Sequence, residues 1–324
     1  MENTDVGANA MMTKLDSHAA ELDPEARTVV AARDAVPVGD LEAMRRKYAI
    51  CGTRFAPSMQ EGLQVHEHVI EENGRRTPTR LYQPAGAATG GLVVWAHGGG
   101  WITGSVAGFE GTAASIAAHS NTTVLSIDYA LAPEHPFPHA LEQVRDVVRW
   151  VREGDGVDVL GHDPDRVVVG GDSAGGNLVA VAARTPHLRP LVGQVLVYSV
   201  TDRRSTRPSY SEPSPVLSAS ALEACWDMYL GGPVTGPLPD FSPIDGELGG
   251  LPRTLLVQAG LDILRDDGVA YSAALRAAGV QVETHTYPDL PHGFLDWAGV
   301  VRQSREAHAR IGRFVRAVVA HPGA

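Results

Sequence analysis

Cysteine is scarce in this sequence, which contains only Cys51 and Cys225 among its 324 residues. Two cysteines cannot build a disulfide framework, and neither belongs to a C-x-x-C pair of the kind that binds zinc or performs redox chemistry. This usage fits a reducing compartment. The sequence also lacks an apolar run long enough to cross a membrane and an apolar signal segment at its start. We therefore expect a cytoplasmic protein with no membrane partner.

Basic residues are also in short supply. The 27 lysines and arginines are outnumbered by 38 aspartates and glutamates, which gives a formal net charge of -11. Because a nucleic-acid-binding surface needs a basic excess to neutralise phosphates, we expect no nucleic-acid partner. Hydrophobic residues make up 44% of the chain. That content is ordinary for a globular protein of this length with a large buried core.

Short apolar segments alternate with helical segments over most of the chain. The apolar segments are Leu92–His97, Thr122–Tyr129, Asp165–Asp172, Val192–Ser199 and Arg253–Gly260. A more polar segment, Gln281–Pro288, predicts a strand nearer to a sheet edge. The helical segments are Phe109–His119, Ala140–Val151, Ala174–Arg184, Gly268–Ala278 and Arg302–Val319. This alternation predicts an α/β fold with a mostly parallel central sheet flanked by helices.

Two regions depart from the alternation. Before residue 61, a polar tail of about 20 residues precedes two predicted helices, Asp23–Ala35 and Gly39–Ala49. An antiparallel strand pair is then predicted at Leu63–Glu71 and Thr77–Pro84. Residues 201–239 contain no apolar strand, only one amphipathic helix. A connection of this length within an α/β domain is usually functional, and we expect a small helical insertion over the carboxyl edge of the sheet.

The segment GGDSAGGN, residues 170–177, joins an apolar strand to a helix of small residues. Gly171, Ser173 and Gly175 fit the pattern G-x-S-x-G, in which a serine occupies a tight strand-to-helix turn with its hydroxyl exposed above the sheet. The alternative is a phosphate-binding glycine loop, but the P-loop lysine and the G-x-G-x-x-G spacing are both missing. Ser173 is therefore the candidate nucleophile.

A serine nucleophile needs a base, and the base needs an acid that orients it. His292 lies in DLPHGF, just past the last predicted strand, and so at the same sheet edge as Ser173. Asp262 follows an apolar strand by two residues. Asp266 and Asp267 are rivals, although we expect them to begin the next helix. The order serine, acid, histidine is that of α/β-hydrolases, and Asp266 stays open as an alternative to Asp262.

The segment HGGGW, from His97 to Trp101, ends another strand. Consecutive glycines allow backbone N–H groups to converge on the oxyanion of an acyl-transfer reaction. The expected donors are Gly99, Gly100 and Ala174, with His97 and Gly98 as the rest of the oxyanion-loop motif. Four aromatic residues are candidate walls of a substrate pocket, with core packing as the alternative for each: Trp101, Trp226, Tyr229 and Phe294.

Five motifs together carry a family resemblance. HGGGW, DYALAPEHPFP, GDSAGGN, LDILRDDG and LPHGF resemble the bacterial hormone-sensitive-lipase-like carboxylesterases, in the branch with G-D-S-A-G at the nucleophile. The similarity covers roughly residues 60–320. It implies an α/β-hydrolase fold with a helical cap built from the N-terminal region and the insertion. The implied divisions are residues 1–60 for the tail and cap helices, 61–200 and 240–324 for the catalytic domain, and 201–239 for the cap insertion.

The resemblance also implies an activity. It implies hydrolysis of short- to medium-chain acyl esters through an acyl-enzyme, with Ser173, Asp262 and His292 as the triad and with no metal or organic cofactor. The expected partner is a small-molecule ester, and a homodimer stays open. The alternatives are an amidase or deacetylase of one metabolite, or a ligand-binding or dehydratase member of the same fold. Ala130 and Ile263 depart from the common Arg and Pro of the family, at positions outside the expected chemistry.

Overall fold

The computed structural model describes residues 21–37, 39–86, 90–204, 206–232 and 240–322. The predicted N-terminal tail and the last residues of the predicted insertion, 233–239, lie outside the described residues.

One eight-stranded sheet organises the molecule. Its strands are β1 (Leu63–Glu72), β2 (Arg75–Pro84), β3 (Leu92–Ala96), β4 (Thr123–Ile127), β5 (Val167–Asp172), β6 (Gly193–Val197), β7 (Thr254–Leu261) and β8 (Val282–Pro291). They lie in the order β1-β2-β4-β3-β5-β6-β7-β8. The pairs β1–β2 and β2–β4 are antiparallel and all other neighbours are parallel. The predicted fold class is confirmed, and the polar strand β8 lies at an edge as expected.

The helices connect these strands and precede them. They are α1 (Pro24–Asp34), α2 (Leu41–Phe55), α3 (Glu110–Ser120), α4 (His139–Glu153), α5 (Gly156–Leu160), α6 (Ser173–Ala182), α7 (Ala219–Leu230), α8 (Arg265–Ala277) and α9 (Arg302–Ala320). Helix α2 continues past its predicted end at Ala49, because the chain meets no proline until Pro57. Helix α5 was not predicted, since five residues are too few to show a helical period.

Two apolar clusters cover the two faces of the sheet. In β3, the side chains of Leu92 and Val94 pack in one cluster, whereas Val93 and Trp95 pack in the other. Side chains of a strand point alternately to opposite faces, so a strand covered on both sides is apolar at every position. The first cluster includes residues of α4, α6, α7 and α8, and the second includes residues of α1, α2, α3 and α9.

The parallel strands place the predicted site at one edge of the sheet. Strand β5 ends at Asp172 and β8 ends at Pro291, each one residue before a predicted catalytic residue, and β7 ends at Leu261. Because parallel strands all run the same way, the residues that follow them meet at the carboxyl edge.

Candidate active site

The chain turns sharply at Ser173, between β5 and α6. The φ angle of Ser173 is 50°, a left-handed value that is uncommon for a residue with a side chain. A Cβ atom on Gly171 would lie 2.6 Å from the carbonyl oxygen of Ala96, and one on Gly175 would lie 2.1 Å from the same oxygen. Glycine is therefore required on both sides of the serine, because the neighbouring backbone of β3 leaves no room for a side chain.

Ser173, His292 and Asp262 form a hydrogen-bonded row. The distance from Ser173 Oγ to His292 Nε2 is 2.9 Å, and His292 Nδ1 lies 2.7 Å from Asp262 Oδ2. The other carboxylate oxygen, Asp262 Oδ1, accepts the backbone N–H of Leu264 at 3.0 Å. All three members are buried, with at most 8% of each residue exposed. Because a carboxylate only accepts, the proton of the imidazole lies on Nδ1 and leaves Nε2 free to accept from the serine.

The two rival aspartates belong to a different set of contacts. Asp266 and Asp267 lie in the first turn of α8, as the sequence predicts. Asp266 Oδ2 accepts the backbone N–H of Ser209 at 3.0 Å, and Asp267 Oδ2 accepts the hydroxyl of Tyr210 at 2.6 Å. Both carboxyl groups therefore hold the segment before α7 onto α8, and Asp262 is the carboxylate that contacts His292.

The glycines of HGGGW are held by hydrogen bonds to their carbonyl groups. His97 Nδ1 donates to the Gly98 carbonyl at 2.7 Å, and Thr103 donates through both N–H and hydroxyl to the Gly99 carbonyl, at 2.9 and 2.8 Å. In a trans peptide the N–H points opposite to the carbonyl of the preceding residue. The N–H groups of Gly99 and Gly100 are therefore turned away from His97 and Thr103.

The turn after Ser173 orients the N–H of Ala174 in the same way. The carbonyl of Ser173 accepts the backbone N–H of Val200 at 3.3 Å, which turns the N–H of Ala174 to the opposite side. Of the three predicted donors, Gly99 lines the cavity that contains Ser173. Gly100 packs against α7 instead, where an added Cβ would lie 2.8 Å from Cys225 Sγ.

The side chain of His97 holds the HGGGW loop in place. Its ring is stacked between those of Phe109 and Tyr129, with centroid distances of 5.1 and 4.4 Å, and the Tyr129 hydroxyl donates to the His97 carbonyl at 2.7 Å. Burial lowers the pKa of His97, so its ring is neutral. These contacts give His97 a role in holding the backbone of the loop.

A cavity of about 40 Å³ contains the exposed face of Ser173 and His292. Helices α1 and α2 supply one wall, with Arg33, Lys47 and Tyr48. The cavity is also lined by the following residues: Phe109, Asp172, Tyr198, Asp296 and Trp297. The N-terminal helices therefore contribute part of the wall of the site.

The four aromatic residues predicted as pocket walls lie elsewhere. Trp101 stacks on Tyr229 at 4.8 Å, and Trp226 meets Phe241 edge-on at 6.3 Å, all within one buried cluster. Phe294 is fully buried in the other cluster. None of the four is among the residues that line this cavity, and a role in contacting substrate stays a prediction. Core packing is favoured for these rings because full burial removes more apolar surface from water than a position at an opening would.

Two residues next to His292 and the cavity, Tyr198 and Asp296, are not predicted by the sequence analysis. The ring of Tyr198 lies 4.7 Å from that of His292, and its hydroxyl accepts the N–H of Leu295 at 3.3 Å. Asp296 lines the cavity and accepts the Thr112 hydroxyl at 2.8 Å. Burial raises the pKa of Asp296 to about 6. No pattern marks either residue, because Tyr198 reaches the site from the end of β6 and Asp296 from the turn after His292.

Asp172 could have been predicted from the sequence as a residue of the site, since it directly precedes Ser173. Its side chain is buried beside the cavity, and burial raises its pKa well above the ordinary value, with Asp296 raising it further and the backbone of Gly98 opposing the shift. Within the described ranges, no group of three or more histidine, cysteine or acidic residues is placed to hold a metal ion. No described helix has both the length and the apolar character needed to cross a bilayer.

Comparison with known proteins decides the family. Residues 93–296 match a family described as α/β hydrolase fold. Carboxylesterase NlhH of Mycobacterium tuberculosis is 36% identical over 270 residues, which cover 78% of this chain and 82% of that protein. Esterase LipI of the same organism is 36% identical over 327 residues, covering 96% of this chain and all of that protein. The chain belongs to the α/β-hydrolase family.

A solved structure identifies the branch. An esterase from the bacterial hormone-sensitive lipase family superimposes with a TM-score of 0.82 at 29% sequence identity, over 92% of this chain and 99% of that one. The predicted resemblance to the hormone-sensitive-lipase-like branch of the α/β-hydrolases is thereby confirmed.

Proposed function

We propose that this protein is a serine carboxylesterase in which Ser173 forms an acyl-enzyme with short acyl groups. Ester hydrolysis agrees with the family, whose relatives reported above are named esterases. The serine mechanism rests on one observation, the unbroken row of hydrogen bonds from Ser173 through His292 to Asp262. That row contains a nucleophile, a base and an orienting acid within reach of one another.

The reaction follows from this geometry. His292 Nε2 removes the proton of Ser173 as Oγ attacks the ester carbonyl, and Asp262 stabilises the imidazolium that forms. His292 then returns the proton to the departing alcohol, which leaves an acyl group on Ser173. Water, deprotonated by His292, attacks this acyl group and releases the acid and the free serine.

The N–H groups of Gly99, Gly100 and Ala174 are the proposed oxyanion donors. The carbonyl groups of the preceding residues, Gly98, Gly99 and Ser173, accept hydrogen bonds that orient these N–H groups before substrate binds. Stabilising the oxyanion therefore requires little reorganisation of the loop. Loss of one such donor typically lowers kcat by about 100-fold or more.

The size of the cavity supports short acyl groups. A volume of about 40 Å³ is small beside the roughly 300–1,000 Å³ of typical small-molecule pockets. An acetyl group is therefore expected to fit best between these walls, and a longer acyl group must extend toward the open side of the cavity. Activity is therefore expected to fall steadily from acetate to hexanoate esters.

The division into domains is part of the proposal. We assign residues 1–60 to an N-terminal tail and cap helices, residues 201–239 to the cap insertion, and residues 61–200 and 240–324 to the catalytic domain. Lys47 and Tyr48 from α2 and Val216 from the insertion line the cavity over Ser173, which supports a cap made from both segments. A cytoplasmic location stays a prediction from the sequence, and size-exclusion chromatography distinguishes a monomer from a homodimer.

The test combines labelling and kinetics. A fluorophosphonate should modify Ser173, identified by peptide mass spectrometry, and p-nitrophenyl acetate should be cleaved faster than the butyrate and hexanoate esters. Ser173→Ala should lower kcat by about 10,000-fold or more and abolish labelling. Ser220→Ala, at an exposed position in α7, is the matched control and should behave as the parent protein.

Full activity of Ser173→Ala would refute the assignment of the nucleophile. Failure to cleave any ester, together with resistance to the label, would favour a binding or dehydratase function on this fold. Matched ester and amide substrates of one acyl group separate the esterase from an amidase or deacetylase.

A further inference from the structure

Two cations form part of the wall of the catalytic cavity. Arg33 lies at the end of α1 and Lys47 in the middle of α2, and both line the cavity that contains Ser173 and His292. Both side chains are partly buried. Neither forms an ion pair with another residue in the described part of the chain.

The charged end of Arg33 lies close to the catalytic histidine. Its guanidinium carbon is 5.4 Å from the ring centroid of Trp297, another residue of the cavity wall. Its Nη1 atom lies 3.7 Å from the position of a Cβ on Gly293, which directly follows His292. The contact with Trp297 holds the guanidinium against the wall while its N–H donors stay available.

The lack of ion pairs at Arg33 and Lys47 is not due to a shortage of acidic residues in the chain. The chain carries 38 acidic residues against 27 basic ones. Other arginines in similar surroundings are paired, such as Arg45 with Glu134 and Arg75 with Asp146. Neither cation has an ion-pair partner among the described residues, although Arg33 lies over Trp297 and acts electrostatically on Asp296, so a bound anion at this wall would be stabilising.

The two carboxyl groups of the cavity have other partners. Asp296 accepts the hydroxyl of Thr112, and the carboxyl group of Asp172 is approached by the backbone of Gly98. Burial raises the pKa of Asp172 well above its ordinary value, which weakens its repulsion of an incoming anion, whereas Asp296, with a pKa of about 6, is neutral only at lower pH. The cations are therefore the charges best placed to act on a substrate.

We propose that the substrate of this enzyme is an ester that also carries a carboxylate, bound by Lys47 and Arg33 while the ester carbonyl lies at Ser173. This inference rests on the proposed esterase function and adds the substrate class to it. Guanidinium and ammonium groups bind carboxylates through charge-assisted hydrogen bonds, and arginine does so with a planar fork.

The carboxylate can belong to the acid or to the alcohol part of the ester, and two substrate pairs distinguish these sources. Monoethyl succinate carries it in the acyl part, and ethyl 4-oxopentanoate is its neutral counterpart with a methyl ketone. O-acetylglycolate carries it in the alcohol part, and acetoxyacetone is its neutral counterpart. We expect kcat/KM at pH 6.5 to favour the charged member of at least one pair by about 10-fold.

Four variants test the residues. Lys47→Gln and Arg33→Gln should each reduce the ratio of kcat/KM for the charged and neutral esters by about 10-fold, chiefly through KM. Lys47→Arg keeps the charge and should keep most of the preference. Arg46→Gln removes the same charge from the exposed side of α2, where Arg46 pairs with Glu42, and should leave the ratio unchanged. Added salt should reduce the preference of the parent enzyme.

The outcomes separate this inference from the proposed function. Hydrolysis of the neutral esters without any preference for the charged ones would overturn the inference and leave the esterase intact. A preference that survives both Lys47→Gln and Arg33→Gln would also overturn it. Failure to hydrolyse these four esters and p-nitrophenyl acetate, together with resistance to the fluorophosphonate, would overturn the proposed function itself.

Discussion

Asp262 is bound on both carboxylate oxygens, to His292 Nδ1 and to the N–H of Leu264. Asp262→Asn keeps the shape of the side chain, but its NH₂ group can donate to Nδ1, and the proton of the imidazole then moves to Nε2. In that tautomer His292 cannot accept the serine proton. We expect kcat for p-nitrophenyl acetate to fall by about 10,000-fold, with KM nearly unchanged.

Asp266→Asn is the matched control, because Asp266 was the open alternative in the sequence. Its carboxylate accepts the N–H of Ser209, which the carbonyl of an asparagine can also accept. We expect kcat to change by less than about threefold. A large loss in Asp266→Asn with little loss in Asp262→Asn would show that the acid is assigned to the wrong residue.

Asp296 makes stability depend on pH. Its pKa is raised from 3.8 to about 6 in the folded protein, chiefly by burial, while Arg33 and His292 favour the charged form. The folded state therefore holds a proton between pH 3.8 and about 6 that the unfolded chain has released. The contribution of Asp296 to stability is greatest below this window, falls as the pH rises through it, and is constant above it.

Asp296→Asn should remove this dependence. The amide keeps an acceptor for the Thr112 hydroxyl but cannot ionise. The Tm of the variant relative to the parent should therefore rise between pH 4 and pH 7, by roughly 2–4 °C. Asp227→Asn, at an exposed position in α7, should show no such trend. A constant difference in Tm across this range would contradict the burial of an ionising carboxyl group.

Among the elements, helix α2 is tied to the oxyanion loop by one side chain. Arg45 Nε donates to the carbonyl of Ile102 at 2.8 Å and Nη2 to that of Ala132 at 3.0 Å, while the guanidinium binds both oxygens of Glu134 at 2.7 Å. Ile102 directly follows the HGGGW segment. Arg45 therefore connects a wall of the cavity to the loop that supplies the proposed oxyanion donors.

Arg45→Lys should weaken catalysis, because an ammonium group cannot reproduce this fork of hydrogen bonds. We expect kcat/KM for p-nitrophenyl acetate to fall by about 10-fold, mainly through kcat. Arg46→Lys, on the exposed side of the same helix, should leave both constants unchanged. If Arg45→Lys lowers Tm and spares kcat/KM, the side chain anchors the helix without positioning the loop.

The sequence predicts the helices and strands on both sides of the site, but not which residues of the N-terminal helices reach the cavity. Strands buried on both faces, such as β3 and β5, are continuous apolar runs, and Ser173, Asp262 and His292 directly follow the carboxyl ends of β5, β7 and β8. The cap depends on contacts distant in sequence. Lys47 and Tyr48 reach the cavity only because α2 crosses the site, and no local pattern marks that crossing. The stacking of Trp101 on Tyr229 is likewise a contact between residues distant in sequence that no local pattern marks.

In the molecule as a whole, the N-terminal helices and the catalytic domain share one apolar cluster. Val29 of α1 and Phe55 of α2 belong to the same cluster as Phe314 of α9. The backbone is joined as well, since Gly299 donates to the Phe55 carbonyl at 2.9 Å. A segment with a shared core unfolds with the rest of the domain, so we expect a single cooperative transition in which cap and catalytic domain are lost together.

Gly52→Ala tests this coupling. A Cβ at Gly52 would lie 2.4 Å from the carbonyl oxygen of Gly108, so α2 must move away from the chain before α3. Alanine stabilises a helix by about 1 kcal/mol relative to glycine. The clash with the Gly108 backbone costs more than this gain, because backbone atoms cannot move aside as a flexible side chain can, so the change in stability is negative. We expect the Tm of the whole protein to fall by roughly 3–10 °C. Gly39→Ala meets no atom within 4 Å and should not lower Tm.

The measurement compares two probes over the same temperature range. Far-ultraviolet circular dichroism reports the sheet and helices of the whole chain, whereas hydrolysis of p-nitrophenyl acetate reports the cavity, which Gly52 itself lines. If cap and catalytic domain form one cooperative unit, both probes lose their signal at the same midpoint in the parent, and both midpoints shift together in Gly52→Ala. Loss of activity well below the circular dichroism midpoint would instead show a cap that detaches on its own. The shared cluster and the backbone bond at Gly299 favour the first outcome, because detaching α2 would expose apolar surface that only the catalytic domain covers.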